Sequence, residues 1–316
     1  MQPRPLRPKF PERAWSAALA LPRASGDDEK VKNAGVFLLL AAVPTCAATL
    51  RPETNQAFDR YIRAAEARME KQRRTGPFLW ADESPQRLKE VRSGTVVVQP
   101  WTGKGDIDAP GGLIHDWIGA VFIPGATLSR TLAWAQNYDA HEEVYPEVLE
   151  SKTLSRNGNA YRMYMRYFKK KVISVVLDTE HEVRYFQLDP TRWYSQSCTT
   201  KISEVKDAGE PTEQRLPPGE GHGFMWRLNS YWRFEERDGG VYVECEAISL
   251  SRGIPAGLGW LIGPIVRELP KQSLEGTLEF TRKAVLEGRG KGTQAAAGNI
   301  SGARSTAPAP AGTPAL

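Results

Sequence analysis

Residues 223–286 constrain the fold more than any other part of this 316-residue chain. Two runs, Gly223–Glu236 and Gly240–Ser251, alternate with period two and are joined at Arg237-Asp238-Gly239-Gly240. That pattern predicts two long antiparallel strands joined by a tight turn. In the first run Trp226, Leu228, Ser230, Trp232 and Phe234 share one face, and Arg227, Asn229, Tyr231, Arg233 and Glu235 the other. In the second, Val243, Cys245 and Ala247 oppose Tyr242, Glu244 and Glu246. The alternation predicts one covered and one solvated face. A Gly- and Pro-rich loop follows Ser251. After Pro270, Lys271–Glu287 carries Leu274, Leu278, Thr281 and Val285 at helical spacing. The order predicts a sheet curved around its own last helix, a geometry suited to enclosing an apolar molecule.

Upstream, residues 53–74 place Phe58, Tyr61, Ile62, Ala65 and Met69 on one helical stripe. This amphipathic helix is expected to pack on the outside of the main domain, or to dock a partner. Strands are expected at Gly94–Trp101, Gly111–Phe122 and Val148–Ser155, with a helix at Ala126–Tyr138. Asn157-Gly158-Asn159 marks a hairpin into Tyr161–Phe168, where Tyr161, Met163, Met165 and Tyr167 share a face. Further strands are expected at Val172–Leu177, Val183–Leu188 and Trp193–Val205. Asp207–Gly223 reads as a surface loop.

The net charge is +5. Residues 1–48 and 288–316 each carry +3, which leaves −1 for residues 49–287. A nucleic-acid binder concentrates positive charge on its folded face, so that class is set aside. Ala34–Val43 is an unbroken apolar run behind Lys30 and Lys32, followed by small residues at Cys46 and Ala48. The run is short for a bilayer span, which takes about 20 residues. It predicts a signal peptide over 31–48, cut after Ala48, and export to the periplasm or exterior. Residues 1–30 read as a non-native or disordered extension, and 288–316 as a disordered tail. Cys198 and Cys245 fall in strands expected to be separated by a third, about 10 Å apart. A disulfide needs Cα atoms within about 7 Å, so two buried free thiols are expected.

No spacing of histidines and cysteines matches a metal site, and no cofactor is expected. His115-Asp116 is an acid–base pair by type, but adjacent strand residues point to opposite faces. His141 lacks a second histidine at i+4, where Tyr145 stands. His181-Glu182 is expected in an exposed polar connection, and His222 in a mobile glycine-rich loop. Ser195, Ser197 and Ser203 lack the strained elbow of a nucleophile. Arg184, Arg192 or Glu244, if turned inward, would hold a ligand head group.

The element order resembles the helix-grip architecture of the START-like (SRPBCC) superfamily, over roughly residues 94–287. The likeness is carried by Asn137-Tyr138-Asp139, Tyr145-Pro146-Glu147-Val148 and Glu150-Ser151. It is carried also by Tyr231-Trp232-Arg233-Phe234, by Asp238-Gly239-Gly240-Val241 with Val243, and by Ile254-Pro255 before the closing helix. It implies an α+β fold in which a curved antiparallel sheet wraps a long C-terminal helix. It implies a cavity of about 300–1,000 Å³ between them. Expected lining residues are Met163, Met165, Trp226, Trp232, Leu258, Trp260, Leu274 and Leu278. The residue 49–93 segment lies outside the likeness. Gly253–Gly263 is expected to gate the cavity and to touch membranes. Non-catalytic carriage of a lipid or other hydrophobic small molecule is the expected function. A cyclase- or dehydratase-like enzyme and a protein-interaction module stand as alternatives.

Overall fold

The computed structural model describes residues 48–170, 174–254 and 259–289. The extension 1–30, nearly all of the expected signal peptide and the tail from residue 290 lie outside the described residues. Helix α1 (Pro52–Thr75) is followed by a 3-10 turn at Trp80–Glu83 and helix α2 (Pro85–Arg92). Strands β1 (Val97–Pro100), β2 (Asp106–Ala109) and β3 (Gly112–Pro124) lead to helix α3 (Leu128–Ala135) and a second 3-10 turn at Tyr138–Glu143. Then come β4 (Val148–Asn157), β5 (Ala160–Lys170), β6 (Ser174–Gln187), β7 (Arg192–Lys206), β8 (Gln214–Arg215), β9 (Arg227–Arg237), β10 (Gly240–Arg252) and helix α4 (Gly259–Leu286).

Among the described residues these strands form one antiparallel sheet in the order β1-β3-β10-β9-β7-β6-β5-β4, with β2 on β3 and β8 on β7. The sheet is curved and unclosed, with β1 and β4 at its edges. The β9–β10 hairpin turns at Asp238 and Gly239, whose φ angles of 57° and 75° favour a short polar residue and glycine. Strand β6 is continuous where two strands were expected. The polar stretch Asp178–Glu182 is part of the ladder, and His181 is 3% exposed instead of solvated. Helix α4 begins twelve residues before Lys271, so Pro270 lies inside it and removes one amide donor without ending the helix.

Both faces of the sheet are covered. On the concave face α3, the second 3-10 turn and α4 pack on Trp117, Val121, Phe234, Val241, Val243 and Cys245 through one apolar cluster. Leu278 is fully buried there, a gain of about 2–3 kcal/mol over exposure. It reaches the strands because Gly119 lies beneath it; a Cβ at that position would come within 2.7 Å of Leu278 Cδ1.

The convex face departs from the sequence expectation. Tyr242, Glu244 and Glu246 were expected in solvent, and all are at most 2% exposed. Helix α1 and the Trp80 segment lie over them. Phe58, Ile62, Ala65 and Met69 of α1 pack with Ile114, Tyr231, Ile248 and Leu250. Phe78, Leu79, Trp80 and Ala81 pack with Ile118, Phe122 and Tyr242. The buried carboxylates are satisfied by this cover. Glu244 accepts the backbone N–H groups of Trp80 and Ala81, each at 2.8 Å, and Arg233 lies 3.6 Å away. Burial outweighs these partners and lifts its pKa to about 7. Arg68 forms a bidentate pair with Glu246 and stacks on Trp101. Tyr61 donates to Asp116 at 2.7 Å. Burial, then the Glu246 charge, raise the Asp116 pKa.

Candidate functional site

The concave face is built from rows of residues that adjacent strands hold side by side. One row runs Gly119, Cys245, Trp232, Ser195 and Tyr185 across β3, β10, β9, β7 and β6. The next runs Trp117, Ala247, Ser230, Ser197 and Val183, and continues to Tyr161 on β5. A third places His115 beside Ser249 and Leu228. The middle of this surface is a floor of small side chains: Cys245, Ala247, Ser249, Ser230, Ser195 and Ser197.

Small side chains leave room on β9 and at Ala247 and Ser249 of β10, where the exposure pattern agrees, whereas Cys245, Ser195 and Ser197 are buried. Leu228, Ser230, Trp232, Ala247 and Ser249 stay half-buried although β9 and β10 are interior strands. Their neighbours on the convex face, Tyr231, Arg233, Glu246 and Ile248, are at most 6% exposed. The stretches Leu228–Trp232 and Ala247–Ser249 are therefore sealed on one side and accessible on the other, whereas Phe234, Val241, Val243 and Cys245 are buried.

The walls are aromatic and aliphatic. Met163, Met165, Trp232, Leu274 and Leu278 belong to or pack on the concave cluster. Trp232 stacks on Phe234 with an interplanar angle of 7°. Tyrosine hydroxyls around the rim are tied to protein partners. Tyr185 donates to the Ala135 carbonyl at 3.1 Å, so Tyr138 donates in turn to Tyr185 at 2.9 Å. Tyr161 donates to Gln136, and Tyr145 pairs with Thr281 of α4 at 2.8 Å. Their ring faces are left as apolar lining.

Of the expected lining residues, Met163, Met165, Trp232, Leu274 and Leu278 are brought together here. Trp226 is not: it precedes β9, where the alternation breaks, and packs under α1 with Phe58 and Ile62. Leu258 and the Trp260 side chain lie outside the described residues, as do residues 255–257 of the expected gate. None of the expected head-group residues faces α4. Glu244 is on the convex side, Arg184 is exposed there, and Arg192 pairs with Asp189 at 2.6 Å.

The histidines are interior, apart from His222. His115 and Asp116 point to opposite faces, as strand geometry requires. His115 bonds Ser251 Oγ at 2.9 Å at one end of the floor, and burial lowers its pKa to about 4. His181 meets Thr179 Oγ1 at 2.9 Å. His222, in the loop, bonds Glu204, which also accepts the N–H groups of His222 and Phe224. Cys198 and Cys245 are both free, on β7 and β10 with β9 between them. Cys198 is half-buried rather than buried, because α1 does not extend over it. Among the described residues no group of histidine, cysteine and carboxylate ligands is arranged for a metal.

No family model matches the sequence, and no curated protein matches it. Several solved structures do resemble the fold. The protein TTHA0849 from Thermus thermophilus is 16% identical over 54% of this chain and 96% of its own, with a TM-score of 0.40. A STAR-related lipid transfer protein from Xanthomonas axonopodis is 17% identical over 58% of this chain and 99% of its own, with a TM-score of 0.39. Human STARD10 is 11% identical over 65% of this chain and 80% of its own, with a TM-score of 0.38. These scores are low; the strand order and the gripped helix carry the assignment by themselves. The fold is a helix grip, a curved antiparallel sheet around a long C-terminal helix. To that grip this chain adds α1 and the Trp80 segment as a second cover.

Proposed function

We propose that the protein holds a lipid or other hydrophobic small molecule, without covalent chemistry, on the small-residue floor beneath α4. The observation that carries this reading is the half-buried set Leu228, Ser230, Trp232, Ala247 and Ser249 on interior strands whose opposite face is sealed. An interior strand normally buries both faces once helices cover both. A floor of Ser and Ala with walls of Met, Trp and Leu supplies apolar area without fixed charge. Burying about 200 Å² of ligand there gains about 5 kcal/mol before the costs of association. Methionine walls adapt to irregular apolar shapes.

The test is uptake by the purified full-length chain. Native mass spectrometry and solvent extraction are expected to recover a hydrophobe, and an environment-sensitive apolar dye to bind saturably. Ser230→Trp fills the floor from an accessible position and is expected to abolish dye uptake while leaving the circular dichroism unchanged. A wild-type protein that takes up neither lipid nor dye refutes the proposal, as does a Ser230→Trp variant that binds like wild type.

Export is part of the same reading, on the strength of the leader-like run at Ala34–Val43. Secreted material is expected to begin at Thr49; a mature chain that retains Phe37–Leu40 contradicts it. One observation favours a catalytic use of the floor. His115 stands beside Ser249 at its end and is neutral at pH 7. Turnover of a bound polyketide-like substrate that His115→Phe abolishes, with dye uptake intact, is what a cyclase- or dehydratase-like role requires.

A further inference from the structure

The convex face carries a second, polar groove that hydrophobe carriage does not use. Two neighbouring rows cross the sheet there. One is Arg162, Glu182, Cys198, Asn229 and Ile248; the next is Ala160, Arg184, Gln196, Tyr231 and Glu246. Helix α1 covers the Ile248 and Glu246 ends of these rows and reaches no farther than Asn229 and Tyr231. Beyond it Gln196 and Cys198 are half-buried, and Glu182 and Arg184 are exposed. An open groove of about 430 Å³ follows that step, with Glu66 of α1 on its rim.

Two of the groove's charges stand without a partner, while Arg162 on its edge pairs with Glu180 at 3.2 Å. Among the described residues the side chains of Glu182 and Arg184 make no hydrogen bond or ion pair. Glu66 accepts the Tyr231 hydroxyl at 2.9 Å and has its other carboxylate oxygen available. Asn229 is 5% exposed; its Nδ2 donates to Tyr231 at 3.3 Å, and its Oδ1 has no partner. A buried carbonyl left unpaired costs about 1–3 kcal/mol unless a donor arrives. Glu182 and Arg184 stand two residues apart on one face, about 7 Å, and β6 lies two strand spacings, about 10 Å, from β9. Opposite charges at that separation match the ends of a two- or three-residue extended chain, at about 3.4 Å per residue.

We propose that this groove binds a short zwitterionic peptide. Its ammonium lies between Glu66 and Glu182, its carboxylate is on Arg184, and its amide N–H groups face Asn229 and Gln196. The groove is also bordered by Tyr161, Val183 and Ser197, but its charged side chains lie on the opposite side of the sheet from the hydrophobe floor, and the proposal does not depend on that reading.

The test uses the full-length protein carrying Cys46→Ser, so that Cys198 is the reactive thiol and Cys245 stays buried. Isothermal titration with glycylglycine reads binding, and protection of Cys198 from alkylation reads its place. Putrescine, succinate and glycerol serve as dication, dianion and neutral controls. Glycylglycine is expected to bind saturably and to slow alkylation at least threefold. Glu66→Gln and Arg184→Gln, both accessible positions, are each expected to weaken it at least about tenfold, the loss of one charge-assisted hydrogen bond. Uptake of apolar dye stays unchanged in both variants. Absence of glycylglycine binding overturns the proposal. So does binding by putrescine or succinate as tight as by glycylglycine, or binding that survives Arg184→Gln undiminished.

Discussion

His141 makes the stability of the fold depend on pH in a direction that can be worked out in advance. The second 3-10 turn lodges its ring among Trp134, Tyr138 and Tyr145, with centroids 5.3, 5.1 and 5.2 Å away. It is 6% exposed, and Nε2 has no hydrogen-bond partner among the described residues. Burial lowers its pKa from 6.5 to about 4; the Trp134 carbonyl and Asp139 oppose this only in part. The unfolded chain therefore takes a proton near pH 6.5 that the folded chain refuses until about pH 4. The stabilising contribution is complete above 6.5 and is lost as pH falls through that window. At about 1.4 kcal/mol per unit the whole loss is about 3 kcal/mol, and between pH 6.5 and 5 it is about 2 kcal/mol. His115 and His181 shift the same way, and Glu244 and Asp116 the opposite way, so the wild-type profile alone is a mixture. A difference measurement isolates the residue. Urea unfolding of wild type and His141→Phe at pH 7.5 and pH 5.0 is expected to show wild type losing about 2 kcal/mol more than the variant. Parallel losses in the two proteins, within about 0.5 kcal/mol, refute the reasoning.

Three further outcomes test the packing. Arg68→Ala leaves Glu246, 2% exposed, without its cation and is expected to cost about 3 kcal/mol in urea unfolding; Arg68→Ala with Glu246→Gln recovers part of it. Gly119→Val drives a side chain into Leu278 and Val98, whose atoms already lie 2.7 and 2.8 Å from a Cβ there, and is expected to cost about 2 kcal/mol by the same assay. Leu278→Ala opens the clasp between α4 and the sheet and is expected to cost about 3 kcal/mol, read as a lowered thermal midpoint with unchanged far-ultraviolet dichroism.

What was legible in the sequence follows from which interactions are local. The β9–β10 hairpin, the stripe of α1 and the Leu274–Leu278–Val285 face of the closing helix were readable, because period and turn chemistry act over a few residues. The continuity of β6 was not, because Asp178 and His181 look like a polar connection until Arg166, Tyr164 and Arg215 are seen to bind Asp178. That α1 packs on the outside of the domain was expected, but the burial of the convex row beneath it was missed for a related reason. A row such as Tyr242, Glu244 and Glu246 carries the same alternation whether it faces water or a helix that brings its own cations and N–H groups. One signal was present: Tyr61, Arg68 and Glu66 project polar groups from or beside the apolar stripe of α1, toward whatever that stripe packs on. The candidate floor was half legible. Its walls were named from the cavity that the family resemblance implies, but its small residues acquire meaning only when the register sets Ser230, Ala247, Ser197 and Ser249 next to one another.

The two covers differ in chemistry, and that difference sets where a ligand can sit. On the convex side the carboxylates Asp116, Glu244 and Glu246 are each met by a specific donor from α1 or the Trp80 segment. Withdrawing any one donor leaves a buried charge, so this layer resists opening. On the concave side the contacts between α4 and the floor are apolar: Leu278 over Gly119 is close, whereas Ser230, Ala247 and Ser249 are only half-buried. Displacing or filling apolar space there breaks no ion pair and strands no charge. This difference favours the proposed placement of an apolar ligand on the concave floor and of a zwitterionic one at the outer step where α1 ends. The alternation of the central strands thus gives the single sheet an ion-paired cover on one side and an apolar one on the other.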